Sequence, residues 1–588
     1  MEFNHLQFNV LMALRQGTME TLGDIAKECA SSLASINQVI NDLLKDQMIE
    51  KTGAYQLTEK GNQLIQTYGV ENAIILAAGF SSRFVPLSYE CPKALLSVHG
   101  ERMIERQIRQ LHEVGIYQIT LVVGYLKEKF DYLIDLFGVE LVYCEDYAQR
   151  NNLSSLYCVR HKLSNSYVLS SDNYMVDNLF HAYEYDSWYC TVKAEAETEE
   201  WCVFTDHKNR IRRVELGGFQ EWHMYGPVYF SKEFSEKIRP LLESAYHRPG
   251  TKNYYWEDVL CNHLDTLEIF ANQQSRKVVY EFENLEELRV FDKTYQVNSK
   301  NETMKVIARV FNVEERQING IVPLKLGMTN RSFLFEVCGE SYICRIPGEG
   351  TDQLINRQEE YATYRALAPL QFTEVLVHFD PKTGIKIAKY EENTRALNTE
   401  NVDELKAAMA MLKKLHTSDI QVDHSFDMGK SIRFYEKLCM DRHAILFEDY
   451  SKVRANMDLL LERLQSYPLV KTMAHIDANC DNFLVDDDLK MTLIDWEYAG
   501  MCDPLIDLSM FAIYSHFSKD QVEHLMQYYF HREPNEDERI RVYAYMALGG
   551  FLWSLWALYK QALGLSFGAY TLNMYRYAKA YYQEVIKL

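Results

Sequence analysis

The stretch His475-Ile-Asp477-Ala-Asn-Cys-Asp-Asn482, followed thirteen residues on by Asp495-Trp-Glu497, decides the reading of the C-terminal half. In order it supplies a hydrogen-bonding histidine, a carboxylate base and two oxygen ligands for a hard cation. Phosphoryl transfer from ATP needs that set: an Asp to orient and deprotonate a hydroxyl, and an Asn with an Asp to hold Mg²⁺ on the phosphates. Asp477 is therefore the candidate catalytic base, and Asn482 and Asp495 are the candidate metal ligands. His475 braces the loop. The apolar pair Leu493-Ile494 ahead of Asp495 separates the pattern from a chance His-x-Asp with a later Asn.

Working outward, residues from about 300 to 588 read as a helix (Met304 to Phe311), a β-rich stretch and a mainly helical remainder, the two-lobed order of a kinase. Gly327-Met-Thr329-Asn330 is read as the phosphate-covering turn, with Thr329 and Asn330 as nucleotide-binding candidates. Arg345 ends the third strand, where a guanidinium can hold phosphate. Glu360 is its expected partner on the next helix, with Glu359 as the alternative. Glu497 is placed to face a substrate cation. Trp553 and Trp556 are three apart and share a helix face, so they could wall a trimethylammonium group. These residues resemble the Brenner motif of the aminoglycoside and choline kinase group, and Phe551-Leu-Trp-Ser-Leu-Trp556 resembles the choline-binding helix of choline kinases. The resemblance covers roughly residues 300 to 588. It implies ATP-dependent phosphorylation of choline, with Asp507 bracing the catalytic loop. Ethanolamine or another amino alcohol is the alternative substrate, although a primary ammonium wants carboxylate acceptors more than rings.

Residues from about 71 to 292 alternate strands and helices: Asn72 to Leu76, a helix from Arg102 to Val114, Ile119 to Val123 and Tyr167 to Ser171. That alternation implies a mostly parallel, Rossmann-like sheet with ligands at the strand ends. At the first strand end stands Leu76-Ala-Ala78-Gly79-Phe-Ser81-Ser82-Arg83, then Pro92-Lys93. Backbone N–H groups of such a loop can cradle phosphates and a base edge, so Leu76, Ala78, Gly79, Ser81 and Ser82 are nucleotide-binding candidates. Arg83 and Lys93 are the catalytic candidates, placed where pyrophosphate must leave. The segment resembles the nucleotidyltransferase family, LxAGxGxRxxPxT…PK, with Ser81 at a usual Gly and Ser88 near the usual Thr. Further matches at Val123 to Lys127, Tyr147 to Tyr157, Asp172-Asn-Tyr174, Glu200-Trp201 and Tyr255-Trp-Glu257 resemble the Lic-type bacterial CTP:phosphocholine cytidylyltransferases. This resemblance implies CTP and phosphocholine as substrates and Mg²⁺ on Asp172 and Glu257. The family pattern has Asp at the latter place. Trp201 and Tyr255 are the choline-binding candidates, followed by Trp256 and then Tyr229, because a quaternary ammonium offers no hydrogen-bond donor and is met by aromatic faces.

Residues 1–68 read as three helices, a strand-turn-strand from Met48 to Thr58 and a last helix from Glu59. They resemble a MarR-type winged helix. The segment holds 8 acidic and 5 basic residues, and its third helix offers only Lys45 as a cation. That lacks the electrostatic footprint for phosphates, so packing or regulation is expected rather than DNA binding. The whole chain points the same way: 588 residues with a formal net charge of −21 argue against a nucleic-acid machine. Twelve cysteines without a C-x-x-C pair fit reduced thiols in a cytoplasmic protein. No basic-then-apolar order marks a signal peptide. The charge-free run Tyr543 to Tyr559 is read as a buried core helix rather than a membrane insertion, being short and broken by Gly549-Gly550.

Together these readings predict a multidomain α/β chain: a winged helix-turn-helix (1–68), a nucleotidyltransferase domain (71–292) and a kinase-like domain (300–588). They predict phosphocholine made from choline and ATP, then CDP-choline from phosphocholine and CTP, for decorating cell-surface glycans. The alternative from another class is a transcription regulator that keeps enzyme folds as sensors. The oligomeric state is left open, with a homo-oligomer compatible.

Overall fold

The computed structural model describes residues 3–17, 19–324, 330–348, 354–468, 470–564 and 567–588. It divides into two compact units, Met1–Gln317 and Ile318–Leu588.

The first unit opens with helices His5–Gln16, Leu22–Glu28 and Leu33–Lys45, an antiparallel hairpin of Ile49–Thr52 and Ala54–Leu57, and helix Glu59–Gln66. Each helix begins where the sequence supplies a side-chain acceptor. Asn4, Thr21, Ser32 and Thr58 cap the first-turn N–H groups. Val10, Leu11, Ile25, Ile36 and Ile65 are fully buried between these elements. The outer side of the first helix is not free. Phe3, Phe8 and Tyr68 pack around Tyr185, with the two tyrosine rings stacked at 5.3 Å. Asn165 Nδ2 donates to Thr67 O at 2.9 Å beside them.

A nine-stranded sheet then forms the body. Asn72–Ala77 lies at its centre, parallel to Ile119–Val123 on one side and to Ser166–Ser170 on the other. Ala73, Ile74 and Ile75 are wholly buried, as a strand covered on both faces requires. Helix Met103–Glu113 seals one face with Ile104, Ile108 and Leu111. Because the central strands are parallel, their C-terminal ends open at one edge of the sheet, and the loop after Ala77 and the turn after Ser170 emerge there together. Helix Glu302–Phe311, expected at the start of the kinase-like part, belongs to this first unit. Its cap residue Asn301 also donates to Pro86 O, and Ser299 N donates to Glu315 Oε2 at 2.8 Å.

The second unit pairs five antiparallel strands in the order Asn319–Pro323, Asn330–Val337, Glu340–Pro347, Lys386–Lys389, Leu376–Phe379, with helix Arg357–Leu367 in sequence between the third and the next. The helical remainder is organised on Glu536–Ala562, the one described helix long and apolar enough to cross a membrane. Its apolar window is wholly buried among neighbouring helices. Gly549 and Gly550 do not break it. A Cβ on Gly549 would come within 2.7 Å of Met510 Cε, and one on Gly550 within 2.5 Å of Met574 O. The glycines are the seats on which two other helices pack.

Candidate active sites

In the first unit, strand Asn72–Ala77 delivers the chain into Ala78-Gly79-Phe80-Ser81. Ser81 adopts φ 56°, the left-handed conformation that glycine enters without penalty, which explains why glycine is usual at this position. Tyr125 N donates to Ala78 O at 3.0 Å. A Cβ on Gly124 would lie 2.5 Å from the Tyr147 ring and 2.7 Å from Ala78 O, so only glycine lets this second loop close on the first.

These loops wall a cavity of about 630 Å³. Leu76, Ala78, Gly79, Ser81, Ser82, Arg83, Lys93, Asp172, Glu257, Trp201 and Tyr255 all line it. Lys93, buried, places Nζ 2.7 Å from Asp172 Oδ2, and Ser170 Oγ donates to Asp172 Oδ1 at 2.6 Å. Burial alone would raise Asp172, but the Lys93 ammonium and these bonds hold it below the usual carboxylate range. Arg83 pairs with Glu283. Trp201 and Tyr255 stand edge to face, centroids 6.2 Å apart at 80°, giving two perpendicular walls. Trp256, one residue on, is buried and stacks on Tyr189, and both line the cavity, whereas Tyr229 is a fully buried core residue that does not.

Glu257 accepts from Tyr189 OH at 3.2 Å and Asn152 Nδ2 at 3.3 Å, and burial pushes it up to about 7. The carboxylate that feels Asp172 is another one, Glu281, raised to about 8 by burial and then by the charge of Asp172. It reaches the cavity because strand Val279–Glu281 pairs with Asn173–Met175, setting Glu281 opposite Asn173. Sequence reasoning missed it, and no local pattern marks it. Among the described residues no three His, Cys, Asp or Glu side chains gather into a metal cage. An Asp172–Glu281 couple with open positions suits an ion that arrives on phosphates, as Mg²⁺ does.

In the second unit, the short strands Thr472–Ala474 and Gly500–Cys502, and Phe483–Val485 and Met491–Leu493, hold the quoted loop. Asp507 receives the N–H of His475 at 2.9 Å and of Ile476 at 2.7 Å, and His416 Nε2 lies 2.9 Å from it. His475 Nε2 bonds Ile494 O at 2.9 Å, tying the Asp477 loop to the segment that carries Asp495. Asp507→Ala is expected to destabilise this unit by about 3–5 kcal/mol, the usual cost of stripping one partner from a buried charged network. Denaturant unfolding measures it, and a loss below about 1 kcal/mol would contradict the bracing role.

Asn482 Nδ2 donates to Asp477 O at 2.8 Å and Oδ2 at 3.2 Å. Burial, then the charges of Asp495 and Glu497, push Asp477 up to about 8. Arg345 reaches three carboxylates, Glu360 at 2.5 Å, Asp495 at 2.7 Å and Glu497 at 3.9 Å. Glu497 accepts from Asn330 Nδ2 at 2.9 Å and Arg357 Nη1 at 3.2 Å, so one of its oxygens is committed to the protein. Thr329 and Gly327 lie outside the described residues.

Trp553 meets Tyr498 edge-on at 5.3 Å and Tyr514 at 6.1 Å. Tyr514 and Tyr570 both lie close enough to Asp477 that its charge adds to the rise burial imposes on their phenols. The rings therefore gather beside the candidate base. Three of them, Tyr498, Tyr514 and Tyr570, were not among the sequence candidates. Trp553, Glu497 and Tyr498 also line a cavity of about 300 Å³. Trp556 does not line it and packs on Phe567 at 5.1 Å.

A parallel-centred sheet with a phosphate-type loop, and a two-lobed unit with an Asp–Asn–Asp set, define a nucleotidyltransferase joined to a phosphotransferase. Residues 73–249 match the MobA-like NTP transferase domain, and residues 320–543 match the Phosphotransferase enzyme family. The chain is 34% identical over 217 residues to the choline-phosphate cytidylyltransferase of Streptococcus pneumoniae, covering 37% of this chain and 95% of that protein. It is 33% identical over 228 residues to the 2-aminoethylphosphonate cytidylyltransferase of Lancefieldella rimae, covering 38% and 93%. The chain belongs to this cytidylyltransferase family. The solved choline kinase LicA from Streptococcus pneumoniae is 28% identical, covering 48% of this chain and all of that one, with a TM-score of 0.44.

Proposed function

We propose that this chain makes CDP-choline in two steps at two sites. The carrying observation is the ring cluster of Trp553, Tyr498 and Tyr514 beside Asp477, in a chain whose other unit belongs to the cytidylyltransferase family. In the first step the choline hydroxyl attacks the γ-phosphorus of ATP, Asp477 takes its proton, the bond to the β–γ bridging oxygen breaks and ADP leaves. The trimethylammonium head rests on the rings, each worth roughly 0.5–2 kcal/mol. Asn482 and Asp495 hold Mg²⁺, which neutralises charge on the phosphates. In the second step a phosphocholine oxygen attacks the α-phosphorus of CTP and pyrophosphate leaves. Lys93 and Arg83 offset the charge of that departure, and Asp172 with Glu257 or Glu281 holds the second Mg²⁺. Trp201 and Tyr255 take the choline head.

The boundaries 1–68, 71–292 and 300–588 belong to the same proposal, with helix Glu302–Phe311 as a lead-in that packs in the first unit ahead of the kinase-like strands. The helix order, capped starts and hairpin of the N-terminal module support a winged helix, and its acidic balance supports a packing or regulatory role over DNA binding. Cytoplasmic placement, a homo-oligomeric option and delivery of phosphocholine to cell-surface glycans are part of it as well.

Choline, ATP, CTP and Mg²⁺ incubated with the protein and followed by ³¹P NMR are expected to show phosphocholine rising first and CDP-choline with pyrophosphate after it. Turnover of ethanolamine but not choline would replace the substrate; no phosphomonoester would end the proposal. Trp553→Ala is expected to raise KM for choline about tenfold, equivalent to 1.4 kcal/mol, with KM for ATP unchanged. A change confined to KM for ATP contradicts the ring site.

A further inference from the structure

Beside Asp495 the second unit holds a buried ion pair that neither chemical step uses. Lys386 Nζ lies 2.5 Å from Glu374 Oε1 and 2.6 Å from Tyr364 OH. Lys386 is 6% exposed, Glu374 7% and Tyr364 2%. The other oxygen of Glu374 accepts from the Thr373 hydroxyl. Thr373 Oγ1 in turn accepts from Trp496 Nε1 at 3.1 Å, and Trp496 Nε1 also donates to Leu493 O at 2.8 Å. Trp496 is fully buried and sits between Asp495 and Glu497. The same segment is tied to the one that carries Asp495 a second time, by Leu493 N to Phe372 O at 2.8 Å.

Two further observations give this chain of contacts a direction. Asp495 has φ 67°, a left-handed conformation that a non-glycine residue keeps only when its surroundings impose it. The strand register sets Lys386 opposite Arg345, so two cations lie side by side facing the segment that carries Asp495. Burial raises Asp495, and Arg345 and then Lys386 more than offset that. A buried ion pair contributes little stability in itself and can often be replaced by apolar groups, so its retention asks for a positional task.

We propose that Lys386 and Glu374 are positioning residues for phosphoryl transfer: through Thr373 and Trp496 they fix the backbone that carries Asp495, so its carboxylate is preset for the divalent cation on the nucleotide. This rests on the phosphotransferase reading of the same site. Supporting groups behind a metal ligand typically change metal affinity or activity about 10–100-fold.

The test uses the full chain and a non-hydrolysable ATP analogue, with binding measured by calorimetry with and without Mg²⁺. Lys386→Met is expected to weaken binding of the Mg²⁺-loaded analogue at least about tenfold, leave metal-free binding within about twofold, and leave cytidylyl transfer from added phosphocholine unchanged. Thr373→Val, which removes the hydroxyl joining Glu374 to Trp496 but keeps the Lys386–Glu374 pair, is expected to shift the same ratio in the same direction by a smaller factor. Equal losses with and without Mg²⁺, or no shift in either variant, overturn the proposal. If Lys386→Met loses its cooperative unfolding transition, Thr373→Val alone decides. If the unsubstituted chain binds no Mg²⁺-loaded analogue, the phosphotransferase reading has failed, and this inference with it.

Discussion

Asp477→Ala is expected to lower choline phosphorylation by about a thousandfold, within the 10²–10⁴ range that a positioned base contributes. Asp477 is half-buried, tied to Asn482, and held in a field of like charge from Asp495 and Glu497. Burial and those neighbours make it a far stronger proton acceptor than an exposed aspartate, which suits a group that must take a proton from an alcohol. Removing it deletes the acceptor and leaves Arg345, Asn482 and the rings in place, so kcat should fall much further than KM for choline rises. Cytidylyl transfer from supplied phosphocholine should be untouched, because its groups lie in the other compact unit. Loss of both activities in a folded variant contradicts two independent sites.

Lys93→Ala should give the mirror image. The ammonium is buried against Asp172 and is the main charge holding that carboxylate ionised. Its loss removes a fixed cation from the leaving pyrophosphate and strands Asp172 in a dry setting where it tends to take up a proton. An electrostatic group of this kind is worth about 10²–10³ in kcat. Choline phosphorylation should remain at its original rate. A ³¹P assay that separates phosphocholine from CDP-choline reads both outcomes: phosphocholine accumulates without CDP-choline. Continued CDP-choline formation at the original rate removes Lys93 from the catalytic set.

How much of this was legible in the linear chain depends on how far apart the cooperating residues lie. His475, Asp477 and Asn482 occupy one turn-rich stretch, and Leu76 to Arg83 occupies one strand end, so spacing alone brought those groups together. The central strands were read to within a residue because each is a continuous apolar run that can only be buried. Glu281 was invisible because it meets Asn173 by a strand pairing 108 residues long in sequence. Tyr514 and Tyr570 reach Asp477 from separate helices, and an aromatic residue in a helix looks the same whether it faces core or cavity. Trp256 shows the converse. Next to Tyr255 in sequence, it starts a helix and belongs to the core, yet it still lines the cavity. Helix Glu302–Phe311 is adjacent in sequence to the kinase-like strands, which suggested that it joins them. Its start instead bonds back to segments on its N-terminal side, Asn301 to Pro86 and Glu302 to Glu90.

The ring cluster around Tyr185 carries a practical consequence for dissecting the molecule. Phe3 and Phe8 come from the N-terminal module, Tyr68 from the tail of its last helix, and Tyr185 from the nucleotidyltransferase body. A chain shortened to begin after residue 70 would bare an oily aromatic scar on the catalytic body and invite clumping. Any loss of turnover after such a cut would report sticky surface as readily as missing regulation, whereas a polar replacement on the outward side of Leu33–Lys45 leaves the seam sealed.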